Sequence, residues 1–77
     1  MQTELKEYHD AFNDCWQFLK QYMSTGDPTT DAYWADAMIH ANELDKKYGK
    51  ELVRCILVDI IGELERKYLR EAREAAE

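Results

Sequence analysis

His9, His40, Cys15 and Cys55 are the side chains of this sequence best suited to act as soft metal ligands or as a nucleophile–base pair. No two of them stand at a CxxC, HxxxH or HExxH spacing, the steps that bring ligands to one turn or one helix face. His9 and Cys15, placed on one helix, are separated by about 120° around its axis, too far round for shared coordination. A zinc site would therefore need tertiary contacts to assemble it. Di-iron bundles carry Glu-x-x-His on facing helices, and no glutamate here is followed by histidine at that step. The phosphate-cradling GxxxxGK[ST] and GxGxxG loops and the GxSxG nucleophile elbow are missing from the sequence. A Cys–His nucleophile requires a partly exposed thiol in an electropositive setting. Cys15 and Cys55 instead fall inside apolar helical patterns and read as small buried hydrophobes, with a disulfide or a reactive thiol as the alternatives. The expectation is a non-enzymatic protein with no cofactor, no metal and no catalytic residue.

The charge distribution carries more information than the ligand inventory. Sixteen acids against ten bases give a net charge of −6, which argues against direct nucleic-acid binding through phosphate contacts. Residues 1–31 hold six acids and two lysines, residues 32–50 balance to zero, and residues 51–77 sum to −2. Glu7, Asp10 and Asp14 lie within about 60° of one another on a helical wheel, opposite the apolar stripe of that segment. Together with Asp27 and Asp31 in and after the following loop, they read as a docking surface for a protein partner with a basic groove. The plainer reading of the same residues is a solvated face that keeps a small domain soluble.

Three periodic segments position these residues. In the first, Leu5, Tyr8, Phe12, Cys15, Trp16, Leu19, Tyr22 and Met23 recur at three- and four-residue steps within roughly 120° of arc, the face of an amphipathic helix. Phe18 falls at the stripe edge and Tyr33 stands beside the core-facing Trp34. Both are expected to remain exposed, and Phe18 joins the acids as a candidate partner-binding residue. The segment Ser24 to Thr30 is rich in turn formers. Gly26 suits the position after a helix end, and Pro28 blocks continuation.

A second helix starts near Thr30 or Asp31, either of which can cap free N–H groups. It carries Tyr33, Trp34, Ala37, Met38, Ala41, Leu44 and Tyr48 as apolar positions, with Lys46 and Lys47 at the negative end of its dipole and Gly49 closing it. In the third segment Leu52, Val53, Ile56, Leu57, Ile60, Ile61, Leu64 and Tyr68 form the stripe, widened by Cys55 and Val58. Between 52 and 61 only Arg54 and Asp59 are polar, so this helix is central in a bundle or shared with another chain. Further on, Glu63/Lys67, Arg70/Glu74 and Arg73/Glu77 stand at the i, i+4 spacing of a self-supported solvated helix.

The fold class that follows is all-α, an antiparallel three-helix bundle with a long third helix. Residues 1–77 form a single helical domain with helices at about 3–23, 31–47 and 50–74. Seventy-seven residues permit one modest core: surface scaling gives about 4,900 Å² for the folded chain. Apolar residues at 45% and charged residues at 34% are a globular composition. The first residues lack the basic start and apolar stretch of an export signal. The run Leu52 to Ile61 is far short of the ~20 residues that cross a bilayer. A soluble, cytoplasmic protein without a membrane partner is expected. A homodimer through helix three is the alternative to a protein-binding role.

The runs Asp31-Ala32-Tyr33-Trp34, Leu44-Asp45-Lys46-Lys47-Tyr48-Gly49 and Ile60-Ile61-Gly62-Glu63-Leu64-Glu65-Arg66-Lys67 resemble small all-helical proteins of phages and mobile elements of gram-positive gut bacteria. The likeness spans the last two helices and consists of packing and capping patterns. It implies no particular site residue. It implies a setting in which a small acidic protein binds and disables a host defence or regulatory protein inside a bacterial cell, as anti-CRISPR and other anti-defence inhibitors do.

Overall fold

Three α-helices pack against one another in pairs: α1 (Gln2–Ser24), α2 (Asp31–Tyr48) and α3 (Glu51–Ala76). The computed structural model describes the backbone of residues 2–76 and the side-chain surroundings of residues 3–74, and no strand occurs among them. Short connections return each helix beside its predecessor, which makes the bundle antiparallel. The molecule is a rod measuring 52 × 19 × 18 Å.

Local chemistry sets the helix boundaries. α1 ends at Ser24, and Gly26 takes a positive φ of 88°. A Cβ at Gly26 would stand 2.9 Å from Cδ2 of Tyr33, so this glycine meets both a backbone and a packing requirement. Asp27 braces the loop by accepting from the Thr29 amide at 3.0 Å and the Thr29 hydroxyl at 2.6 Å. Thr30 caps α2, its hydroxyl accepting from the Tyr33 amide at 3.3 Å. Gly49, in the left-handed region, ends α2 and donates its N–H to the Asp45 carbonyl at 2.8 Å.

The core comprises Ala11, Cys15 and Phe18 from α1, Ala37, Ala41 and Leu44 from α2, and Val53, Leu57, Ile60 and Leu64 from α3. For α1 this differs from the expected stripe. Phe18 is 1% exposed and Tyr33 is also buried, whereas Leu5, Phe12 and Trp16 are 71%, 45% and 55% exposed. The true core face of α1 is 11–15–18–22, about 70° from the centre of the apolar stripe. Its cause is steric. Ala11, Cys15 and Phe18 share one buried cluster with Ala37 and Ala41, and the Phe18 ring packs against Tyr22 and His40 with centroids 5.0 Å from each. Tyr33 is held inward by its hydroxyl, which donates to the Tyr22 carbonyl at 2.6 Å, one of the free carbonyls at the end of α1. Trp34 stays half-buried, its indole N–H donating to the Pro28 carbonyl at 2.9 Å.

Two further expectations are corrected. Cys15 is buried, but Cys55 is exposed, because it points away from the Val53–Leu57–Ile60–Leu64 face of α3. On the distal half of α3 the charges pair differently. Glu63 accepts from Arg66 at 2.7 Å and Lys67 pairs with Glu71 at 2.8 Å, so the Glu63/Lys67 pair is replaced by two others. Arg70 and Glu74 form no ion pair among the described residues, and Glu77, the expected partner of Arg73, lies outside them. No described helix is long and apolar enough to cross a membrane.

The rotated register of α1 yields a direct test. Phe18→Ala empties a fully buried site and is expected to cost about 3–5 kcal/mol. Trp16→Ala removes a half-exposed ring and should cost less than about 1 kcal/mol. Urea denaturation of both variants measures the difference, and equal losses would restore Trp16 to the core.

Candidate interaction surfaces

The acidic residues of α1 are brought to the end of the bundle where α2 stops and α3 begins. Asp14 is the centre of this arrangement. Its Oδ2 accepts from the Lys47 ammonium at 2.9 Å and from the Tyr48 hydroxyl in a very short hydrogen bond. The Tyr48 hydroxyl first, and Lys47 next, hold the Asp14 carboxyl below the usual carboxylate range. Glu7 pairs with Lys50 at 3.1 Å, and the Lys50 ammonium also lies 4.6 Å from the Tyr8 ring centroid. Asp10 pairs with Lys6 at 3.2 Å, an i, i+4 contact. Each of the three acids expected to face a partner therefore has a lysine of the same chain against it. Glu7 and Asp14 flank the core face of α1 rather than standing opposite it, because the helix is rotated.

The remaining expected site residues scatter. Asp27 is occupied in bracing the loop, and its carboxyl is held low by the Thr29 hydroxyl and then the Thr29 amide. Asp31 sits exposed in the first turn of α2, where a carboxylate complements the positive end of the helix dipole. Phe18 is removed from any surface by its burial.

Two apolar surfaces take the place of the expected acidic one. On α1, Leu5, Phe12 and Trp16 follow one another at helical steps along an exposed stripe. Tyr8 continues it, its ring tilted against Phe12 at 6.3 Å, and the half-buried Leu19 and Met23 tie its far end to the core. The second surface is a groove of about 350 Å³ between α2 and α3, lined by Met38, Ala41, Leu57, Val58, Ile61 and Gly62. Arg54 with Asp45 closes one end and Glu65 the other. A neighbouring cavity of about 380 Å³ extends it past Trp34, Tyr68 and Leu69, sharing Met38, Ile61 and Glu65. Val58, which the sequence placed at the widened edge of the α3 stripe, lies in this groove and is exposed.

The side chains with catalytic potential are dispersed. Among the described residues no three His, Cys, Asp or Glu side chains converge in a way that could hold a metal ion. His40 is packed edge-on to Phe18 and Tyr22, with ring centroids 5.0 and 5.9 Å away. Burial, followed by the charge of Asp14, pushes the Cys15 thiol up from its ordinary value, the opposite of an activated nucleophile. Comparison with protein families, curated proteins and solved structures returns no match.

The Asp14 cluster predicts an acid-side signature. A carboxyl with a lowered folded-state pKa adds stability that is complete above its unfolded value, about 3.9, and is lost as pH falls through the folded value. Asp14→Asn should therefore be less stable than the native chain at neutral pH, with the gap closing below about pH 4. Urea denaturation across this range checks it; a gap independent of pH would remove the carboxylate as its source.

Proposed function

We propose that this chain is a non-enzymatic protein-binding module that engages its partner through the α1 stripe of Leu5, Phe12 and Trp16, with the negative field of the domain steering approach to a basic surface. The observation that carries this reading is the exposure of Trp16 and Phe12, 55% and 45%, on one stripe of a chain that had enough apolar side chains to hide them. Tryptophan and other large aromatic side chains provide much of the binding energy at protein interfaces, and contiguous exposed apolar surface is uncommon on a monomer without a partner. The acids enter in a different role from the one their spacing suggested. Glu7, Asp10 and Asp14 each face a lysine of the same chain, and the net charge of −6 acts at long range. Such a field speeds encounter with a positive surface and weakens with salt. The resemblance to mobile-element proteins supplies a setting, the disabling of a host defence or regulatory protein.

Capture from bacterial lysate followed by binding kinetics tests the division of labour. Phe12→Ala with Trp16→Ala should weaken a captured partner more than about 30-fold, chiefly through faster dissociation. Lysines at positions 7, 10 and 14 should chiefly slow association and flatten its salt dependence. A partner held with unchanged affinity by the aromatic variant would overturn the proposal.

A further inference from the structure

The groove between α2 and α3 contains no α1 residue, so what fills it is a separate question from the aromatic stripe. The folded chain exposes 5716 Å². Surface scaling for 9.1 kDa gives about 4,900 Å², so the rod exposes about 800 Å² beyond the norm. That excess equals what one partner contributes to an interface of standard size, about 800 Å². The excess is summed over the whole surface, the α1 stripe included, and Val58, Met38 and Leu69, all about half to two-thirds exposed, are the groove's apolar share of it.

The charges at the two ends of the groove decide what complements it. Arg54 and Glu65 are eleven residues apart, about 16.5 Å along α3 and about 20° apart around it, so they bracket one face. Arg54 reaches Asp45 through Nε alone, at 3.3 and 3.4 Å, and its terminal amino groups make no hydrogen bond among the described residues. Glu65 has no cation within ion-pair distance among them. A two-fold axis requires that if Arg54 meets Glu65, Glu65 meets Arg54. Antiparallel α3 helices related by an axis between Asp59 and Ile60 satisfy this twice and set Val58 level with the partner's Ile61. A parallel pair would set Arg54 against the partner's Arg54.

Gly62 adds an independent observation. It lies in the interior of α3, where glycine weakens a helix, yet a Cβ there would meet only Nη1 of Arg66, at 3.6 Å. Nothing within the chain requires glycine at this position. In the antiparallel pair it adjoins Ile61 beside the axis, and its missing Cβ leaves room for the partner's Val58.

We propose that the groove is occupied by a second copy of this chain, the α3 helices antiparallel, with Arg54 of each bridging its own Asp45 and the partner's Glu65. Sedimentation equilibrium of the full chain tests this, with helicity by circular dichroism confirming that each variant folds. The native chain is expected to be a dimer. E65R should raise its dissociation constant more than tenfold, R54E should do the same, and R54E with E65R should recover most of the loss. Gly62→Ala should weaken the dimer while raising the thermal midpoint of the dilute monomer. A native chain that stays monomeric at millimolar concentration overturns the proposal and leaves the groove to a different protein. A dimer indifferent to E65R, or strengthened by Gly62→Ala, overturns this face and register.

Discussion

The burial of Phe18, packed against Tyr22 and His40, is the constraint from which the other surfaces of this bundle derive. Ala11 and Cys15 on α1 and Ala37 and Ala41 on α2 share its cluster, and a ring placed there is lost entirely to solvent. Close packing allows little tolerance at such a site, because dispersion contacts fall away within a fraction of an ångström of separation. Once Phe18 points inward, the 3.6-residue period leaves no freedom for the rest of α1. Asp14 and Glu7 turn towards the junction of α2 and α3, and Phe12 and Trp16 turn towards water.

The electrostatics follow from that same rotation. Acids that a helical wheel sets opposite the core instead come to flank it, within reach of Lys47, Tyr48 and Lys50 at the far end of the bundle. Asp14 in particular ties α1 to the C-terminal end of α2, with a phenol and an ammonium on one carboxylate oxygen. Pairing of this kind cancels charge within a few ångströms and leaves the net charge of the domain untouched. Local contact and long-range steering are thus separable properties of the same residues.

Helix α3 carries two loads. Its Val53–Leu57–Ile60–Leu64 face closes the bundle, and the neighbouring Val58–Ile61 flank lines the open groove with α2. A 26-residue helix beside an 18-residue one also extends beyond what its neighbour covers, which is how a chain this small comes to have a rod shape and surplus surface. The groove and the aromatic stripe of α1 draw on different residues.

The sequence by itself determined the helical elements and their caps. Gly26, Pro28, Thr30 and Gly49 act through the φ values and hydrogen bonds of their own neighbourhoods, and periodic apolar residues specify a helix whatever it packs against. It also marked α3 as apolar around most of its circumference, which left open a central place in the bundle or a face shared with another chain. What it did not determine was which part of α1 faces inward. A wheel weighs side chains by polarity, and on that scale Leu5, Phe12 and Trp16 outweigh Ala11 and Cys15. Packing weighs them by shape, and it buries Phe18 in one cluster with Ala11, Cys15, Ala37 and Ala41. Tyr33 was drawn in by a hydrogen bond to a carbonyl of α1, and Cys55 was turned away from the core face of α3. Which apolar side chains stay exposed on α1 and in the groove was set by tertiary complementarity, which depends on pairs of residues far apart in the chain and leaves no mark in local spacing.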